Sequence, residues 1–168
     1  PSPRFAPVFG ENEGKVLSPF GKVRYPIIFE WLPCEEADNY MILIEEIDWH
    51  KRVDVTRMEI KQEEIRLDYG KEYMWELKAI RGEKVIEETT GFFSIAEEEE
   101  IRDIAKIQQQ IENIKPEQDR LIIWGGILEE KGLYIEAIEE YKKAYVLEAL
   151  DGIAYRLACC YDILGLEE

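Results

Sequence analysis

The stretch Leu121–Gly165, LIIWGGILEEKGLYIEAIEEYKKAYVLEALDGIAYRLACCYDILG, decides how the C-terminal part of the chain folds. Its apolar residues recur at intervals of three and four, which predicts amphipathic helices. Gly132 and the pair Asp151-Gly152 interrupt that pattern and predict helix ends. We therefore expect three helices, over residues 117–131, 134–149 and 152–164.

Small residues lie where two of these helices would have to approach each other closely. Gly125 and Ala137 would allow the helices of one hairpin to pack at a short distance, and Ala158 provides a similar position in the next helix. The pattern resembles the tetratricopeptide repeat, whose signature is W-x2-L-G-x2-Y followed by A-x3-F. The matching residues are Leu121, Trp124, Gly125, Leu128, Ala137, Tyr141 and Ala144, with Ala154, Leu157, Ala158 and Tyr161 in a second partial copy. Ala149 stands where the family has proline, and a helical hairpin that matches by chance is the alternative.

The resemblance implies a groove, because the first helix of each tetratricopeptide hairpin lines the concave surface of the repeat. The implied partner-binding residues are Ile122, Gly126, Glu129, Tyr155, Cys159 and Asp162. This mixture of apolar and acidic residues suits a protein or peptide segment with basic and apolar side chains. The alternative is that residues such as Ile122 and Cys159 only pack against a neighbouring helix.

The number of repeat copies is small. One and a half copies are fewer than the roughly three that an independent solenoid needs. Either these helices pack on the preceding domain, or further repeats follow Glu168. The chain also begins PSPRF without methionine, which predicts a trimmed or processed chain.

A fourth helix is expected before this stretch, over residues 96–114. Ser94 and Glu97 fit a capping box at its start. Glu97–Glu100 suit the positive end of the helix dipole, with cation binding as the alternative. The helix carries a narrow apolar stripe formed by Ile101, Ile104, Ile107, Ile111 and Ile114. This stripe predicts either docking on the following helices or a seam between two chains.

The first half of the chain has the alternation of β-strands. Residues 1–20 contain four of the seven prolines, and we expect an extended lead-in over residues 1–18. From Pro19 to Ile95, short alternating segments separated by turns predict an antiparallel β-sandwich. The predicted fold class is therefore α+β in two domains, with a sandwich over 19–95 and a helical domain over 96–168.

Three features of the strand segments share a common pattern: Trp31 before a proline, Tyr40-x-Ile42-x-Ile44, and Leu67 followed by Tyr73-x-Trp75-x-Leu77-x-Ala79. Together they resemble fibronectin type III domains. Tyr69 occupies a position where the family usually has proline. The resemblance implies that Trp31 lies in the centre of the sandwich core and that Tyr73 is the corner tyrosine.

The charge balance excludes several classes of partner. Lys and Arg number 21 against 37 Asp and Glu, which gives a net charge of −16. A negative field of this size repels nucleic acid and anionic membrane surfaces. No apolar run approaches the length of about 20 residues that a membrane span needs, so direct membrane insertion is not expected.

The sequence predicts no catalytic, metal or cofactor site. His50 has no companion at metal-ligand spacing, and no nucleotide-binding or nucleophile motif is present. The adjacent Cys159 and Cys160 point in different directions on a helix, and Cys34 is far from both in sequence. These three cysteines are interpreted as small apolar side chains, with a redox or metal role as the alternative.

The leading functional hypothesis is a non-enzymatic interaction module that docks a peptide or protein through its helical repeat. The alternative is an envelope-associated structural spacer that forms a homodimer through the Ile101–Ile114 stripe. A third possibility is carbohydrate binding by exposed Trp49 and Tyr69 on the sandwich. A location in the periplasm or cell envelope is favoured over the cytoplasm, because many bacterial sandwiches of the type that this one resembles lie there. The unpaired cysteines favour the cytoplasm, which is the alternative.

Overall fold

The computed structural model describes residues 16–165. These residues form eight β-strands followed by four α-helices, so the predicted α+β class is confirmed. The strands are β1 Val16–Ser18, β2 Gly21–Val23, β3 Ile27–Trp31, β4 Asn39–Ile44, β5 Trp49–Val53, β6 Arg57–Ile60, β7 Glu72–Arg81 and β8 Lys84–Ile95. The helices are α1 Glu98–Ile111, α2 Glu117–Glu130, α3 Tyr134–Leu147 and α4 Asp151–Leu164.

The chain divides into two compact units that are not continuous segments. Among the described residues, 16–20 and 25–95 form the strand unit, and 21–24 and 96–165 form the helical unit. The predicted domains were uninterrupted segments, whereas residues 21–24 belong to the helical unit and lie within the range predicted for the sandwich. Most of the expected lead-in over 1–18 lies outside the described residues. Its last part, Val16–Ser18, is strand β1, because Val16 pairs with Trp31 of β3.

Antiparallel pairing organises the strand unit. One sheet has the order β1-β3-β6, and the other includes β8, β7, β4 and β5 in that order. β7 and β8 form the longest ladder, from the pair Glu72 and Ser94 to the pair Arg81 and Lys84. Alternate residues of β7 face the core, as the sequence predicted: Tyr73, Trp75, Leu77 and Ala79 are all buried.

Aromatic side chains fill the core of the strand unit. The ring of Phe29 meets Trp75 edge-on with the ring centres 5.0 Å apart, and Phe93 lies 6.1 Å from Phe29. The indole nitrogen of Trp75 donates a hydrogen bond to the carbonyl of Pro19 at 3.1 Å. Gly91 lies against this indole so closely that an added Cβ would stand 2.4 Å from its nitrogen, and only glycine leaves room for the ring.

Tyr73 closes a turn at the edge of this core. Its hydroxyl oxygen accepts a hydrogen bond from the backbone N–H of Asp68 at 2.8 Å. The ring itself is buried and lies 6.1 Å from that of Phe93. The side chain therefore links the turn before β7 to the packed interior.

The expected capping box at Ser94 was wrong. Ser94 pairs with Glu72 inside the β7–β8 ladder, so its backbone is extended there and β8 continues to Ile95. Helix α1 begins at Glu98 instead, with Glu97 as an N-cap that forms no side-chain capping bond. The glutamates of the first turn agree with the expected dipole match.

Glycine separates two of the helices and lies inside another. Gly132, with φ of +76°, joins α2 to α3, and Gly165, with φ of +67°, follows α4. These positive φ values are strained for residues with a Cβ. Gly152 does not break a helix, because Leu150 is the N-cap of α4 and Gly152 lies in its first turn.

Residues 21–24 are fastened to the helices by two basic side chains. Lys22 Nζ donates to Glu100 Oε1 of α1 at 2.9 Å and to the carbonyl oxygen of Lys131 at 3.0 Å. The backbone carbonyl of Val23 accepts from the N–H of Ala96 at 2.8 Å. The segment thus contacts both α1 and the end of α2.

Arg24 makes the most buried of these contacts. Its Nε donates to Glu136 of α3 at 2.8 Å, and its guanidinium lies 5.7 Å from the centre of the Trp124 ring on α2. Burial raises the pKa of Glu136, and the charge of Arg24 opposes that shift. The ion pair therefore offsets part of the cost of placing a carboxylate inside the helical unit.

Replacement of Trp75 by alanine tests the core assignment in the strand unit. Trp75 is fully buried and its indole N–H is bonded, so Trp75→Ala is expected to lower the free energy of unfolding by about 3–5 kcal/mol. Trp49→Ala is the matched control, since Trp49 is only half-buried, and it should cost clearly less. Urea unfolding monitored by circular dichroism measures both. Equal losses for the two variants would contradict the assignment.

Candidate docking surfaces of the helical unit

The six residues predicted to bind a partner lie on two helices of the helical unit. Ile122, Gly126 and Glu129 share one face of α2, and Tyr155, Cys159 and Asp162 share one face of α4. The two groups differ in exposure. The α2 residues are half-buried, whereas Tyr155 and Asp162 are exposed.

Glu129 is held inside the helical unit and is not a free acidic contact. One of its carboxylate oxygens accepts from the hydroxyl of Tyr141 on α3 at 2.8 Å. The other accepts from Arg156 on α4 at 3.2 Å, and the Glu129 side chain is only 16 % exposed. Its charge is therefore already matched by an arginine of the same unit, and its role is to join three helices.

Tyr141 packs directly on Gly125. A Cβ added to Gly125 would lie 2.7 Å from Cε1 of this ring, closer than real Cβ contacts allow. Burial raises the pKa of the Tyr141 hydroxyl, and its hydrogen bond to Glu129 raises it further. Tyr141 therefore stays protonated and donates to Glu129 throughout the physiological pH range. Gly125 was expected to let two helices approach closely, and the space above it is in fact occupied by the ring of Tyr141.

The exposed part of the predicted site is a face of α4. We call this the α4 face and define it by Tyr155, Cys159, Asp162 and Ile163. Tyr155 is 69 % exposed and Ile163 is 50 % exposed. A hydrogen bond between Tyr155 and Cys159 raises the pKa of the tyrosine hydroxyl. Asp162 has no ion-pair partner among residues 16–165.

Further exposed apolar side chains lie at the end of α3, and the sequence analysis did not select them. Val146 is 85 % exposed and Leu147 is 54 % exposed, with Tyr145 and Leu150 near 40 %. The sequence feature that could have revealed them is the run Tyr145-Val146-Leu147. Three consecutive apolar residues of a helix cannot all face one core, so at least one of them has to be exposed.

A second candidate surface lies on the opposite side of α2 from the predicted residues. It is an open groove of about 690 Å³ between α1 on one side and α2 and α3 on the other. We call it the α1 groove. Its lining residues are Ala105, Gln108, Gln109, Ile111, Glu112, Glu117, Arg120, Leu121, Trp124, Glu140 and Lys143. The sequence did not predict this groove, because the spacing of residues along the chain does not reveal a gap between two helices.

The isoleucine stripe of α1 is only partly accessible. Ile104 is fully buried, and Ile101, Ile107, Ile111 and Ile114 are half-buried. α1 is also shorter than expected, since it ends at Ile111 and leaves Ile114 beyond the helix. The stripe is therefore a poor continuous seam for a second chain.

The aromatic residues considered for carbohydrate binding differ in their surroundings. Trp49 is half-buried in β5, and its ring stacks on Phe29 with the centres 6.2 Å apart and 27° between the planes. The expectation that Trp49 is exposed was therefore wrong, although the residue does follow directly after the turn at Asp48. Tyr69 is 37 % exposed, and its hydroxyl oxygen accepts from Gln62 at 3.1 Å.

Two further features of the described residues are the grouping of potential metal ligands and the length and hydropathy of the helices. Among residues 16–165, no three His, Cys, Asp or Glu side chains are grouped closely enough to hold a metal ion. None of the helices in this range is both long enough and apolar enough to cross a membrane.

Compared with models of known protein families and with curated proteins, the chain matches none. The assignment of a role therefore depends on the surfaces described above.

The two neighbouring glycines of α2 provide a matched test of the Tyr141 contact. Gly125→Ala is expected to lower the free energy of unfolding by about 1–3 kcal/mol, because the new methyl group would overlap the Tyr141 ring. Gly126→Ala places its Cβ 3.7 Å from the Tyr141 hydroxyl oxygen, an ordinary contact. It should be neutral or stabilising by up to about 1 kcal/mol, because alanine favours helix. Thermal unfolding of both variants is the measurement, and the reverse order would contradict the packing.

The adjacent cysteines should differ in reactivity. Cys160 is fully buried, and burial raises its pKa to about 11, so very little thiolate exists at pH 7.5. Cys34 and Cys159 are partly exposed. Iodoacetamide should modify these two in the folded protein and reach Cys160 only after denaturation, as followed by peptide mass spectrometry. Labelling of Cys160 as fast as Cys159 would show that the α4 packing is wrong.

Proposed function

We propose that the protein is a non-enzymatic interaction module that docks a protein partner through its helical unit. The observation that carries this proposal is Tyr155, which leaves 69 % of its surface exposed on the α4 face. Tyrosine is among the residues that most often dominate binding energy at protein interfaces. Ile163 lies two turns further along the same face and is 50 % exposed.

The α4 face rests on a fixed support. Directly after Tyr155, Arg156 is bonded to Glu129 of α2, and Glu129 is bonded in turn to Tyr141 of α3. Cys160 anchors the inner side of α4 in the core, where it is fully buried. A surface held in this way loses little conformational entropy when a partner binds, which favours affinity.

Charge favours a partner with basic and apolar side chains. The chain carries a net charge of −16, and the carboxylate of Asp162 on the α4 face has no cation beside it in the described range. Glu129 contributes little to this preference, because Arg156 neutralises it. The preference for a basic partner therefore comes from Asp162 and from the negative long-range field of the protein.

We further propose that the helical unit is related to the tetratricopeptide repeat. This is supported by the buried residues at the signature positions, which are Leu121, Trp124, Gly125, Leu128, Ala137, Tyr141 and Ala144. The second partial copy gives weaker support, because Ala154 is exposed and Leu157 and Ala158 are half-buried.

We propose a fibronectin type III-like arrangement for the strand unit. Trp31 is 2 % exposed, in agreement with a central core position. The bond from the Asp68 N–H to the Tyr73 hydroxyl is typical of a corner tyrosine, which bonds back to the backbone a few residues upstream.

Site-specific photocrosslinking tests the docking proposal. p-Benzoylphenylalanine replaces Tyr155 in the full chain, which is irradiated in an extract of the source cells. We expect one discrete adduct with a second protein, identified by mass spectrometry, and its loss when Asp162→Arg is added to the same chain. The same probe at Glu83, an exposed turn residue of the strand unit, is the control and should not give that adduct.

Two other outcomes would contradict the docking of a different protein on the α4 face. An adduct of twice the chain mass would show that the α4 face binds a second copy of this chain and not a different protein. No adduct specific to position 155 would show that the α4 face does not dock a partner.

A further inference from the structure

We propose that the α1 groove is a second binding site, and that it takes a short extended protein segment with an apolar side chain next to a lysine or arginine. The site is separate from the α4 face, because its α2 residues lie on the opposite side of that helix. Four properties of the lining favour this ligand: apolar residues on the floor, two glutamine amides without partners in the described range, ion pairs that balance internally and one unmatched carboxylate.

The floor of the groove is apolar. Leu121 and Trp124 of α2 line it, and each leaves only 7 % of its surface exposed. Ile111 and Ala105 of α1 form the facing wall. An apolar side chain that enters between these walls would bury surface against both helices, which is the main favourable term in such an interaction.

Two neighbouring glutamines border this floor. Neither the Gln108 nor the Gln109 side chain has a hydrogen-bond partner within residues 16–165. A glutamine amide can both donate and accept, so it matches the N–H and C=O groups of an extended backbone. This feature favours a peptide segment over a purely hydrocarbon ligand.

The two cations of the groove are already matched. Arg120 pairs with Glu117 at 3.2 Å, and Lys143 pairs with Glu140 at 2.6 Å. An acidic ligand would have to break one of these pairs, and it would also meet the net charge of −16.

Glu112 is the unmatched charge of the groove. Arg120 donates to the backbone carbonyl of Glu112 at 3.3 Å, but the Glu112 carboxylate has no partner in the described range. This carboxylate is the natural partner for a lysine or arginine of the incoming segment.

Size and shape agree with a chain segment. The volume of about 690 Å³ lies within the range of protein binding sites, roughly 300–1,000 Å³. Sites for small molecules usually enclose most of their ligand, whereas this groove is open to solvent. An extended segment that continues beyond both ends suits that geometry better than an enclosed molecule.

A peptide library provides the test. The full chain is panned against a phage-displayed library of random dodecapeptides, and the enriched peptides are synthesised and titrated by isothermal calorimetry. We expect enriched peptides that share an apolar residue beside a lysine or arginine. In NMR titrations they should shift the side-chain amide signals of Gln108 and Gln109 and the indole signal of Trp124.

Three variants locate the binding. Ala105→Trp fills the groove from an exposed position of α1 and should weaken peptide affinity at least tenfold, as should Glu112→Arg. Glu130→Arg makes the same charge change at an exposed residue of α2 that does not line the groove, and it should leave affinity within twofold. Circular dichroism confirms that each variant stays folded.

The results that would refute binding in the α1 groove differ from those that would refute docking on the α4 face. No enriched peptide, or peptides whose affinity is unchanged by both Ala105→Trp and Glu112→Arg, would refute the α1 groove and leave photocrosslinking at position 155 unaffected. Peptides that lose affinity in Tyr155→Ala and not in Ala105→Trp would place binding on the α4 face alone.

Discussion

The contact of Tyr141 with Gly125 and Glu129 is the interaction on which the helical unit depends. The ring of Tyr141 occupies space that only a residue without Cβ leaves open, and its hydroxyl donates to Glu129 at 2.8 Å. Through Arg156 the same carboxylate reaches α4. A single tyrosine therefore connects α2, α3 and α4 by packing and by hydrogen bonding together. The exposed residues of α4 owe their fixed position to this connection.

Ion pairs within the helical unit explain how a strongly acidic chain keeps this unit packed. Glu129 and Glu136 are two of its partly buried acidic side chains, and they are joined to Arg156 and Arg24. With these charges matched internally, the chemistry available to partners comes from a few residues that have no cation nearby. Asp162 on the α4 face and Glu112 in the α1 groove are two such residues within the described range. The carboxylates paired with arginine hold the helical unit together, and the unpaired ones favour partners with basic side chains.

Periodicity allowed most of the elements to be predicted, since burial repeats at the interval of the local structure. The alternation from Tyr73 to Ala79 and the spacing around Gly125 are the clearest cases, and both sets of residues are buried. Predictions failed where a distant partner decides the outcome. Ser94 has the local pattern of a helix cap but is held in a strand by Glu72, and Glu129 looks exposed until Arg156 is placed beside it. The α1 groove could not be predicted at all, because it depends on the spacing of two helices.

Residues 21–24 have a consequence for the order in which this protein can fold. They complete the helical unit, yet residues 25–95 of the strand unit are synthesised before the first helix appears. During translation, Lys22 can therefore pair with Glu100 only after α1 has been synthesised, and Arg24 can pair with Glu136 only after α3 has been synthesised. The helical unit consequently cannot be transferred to another protein as one uninterrupted segment of gene. Residues 21–24 would have to be supplied separately, because they are separated from the helices by the whole of residues 25–95.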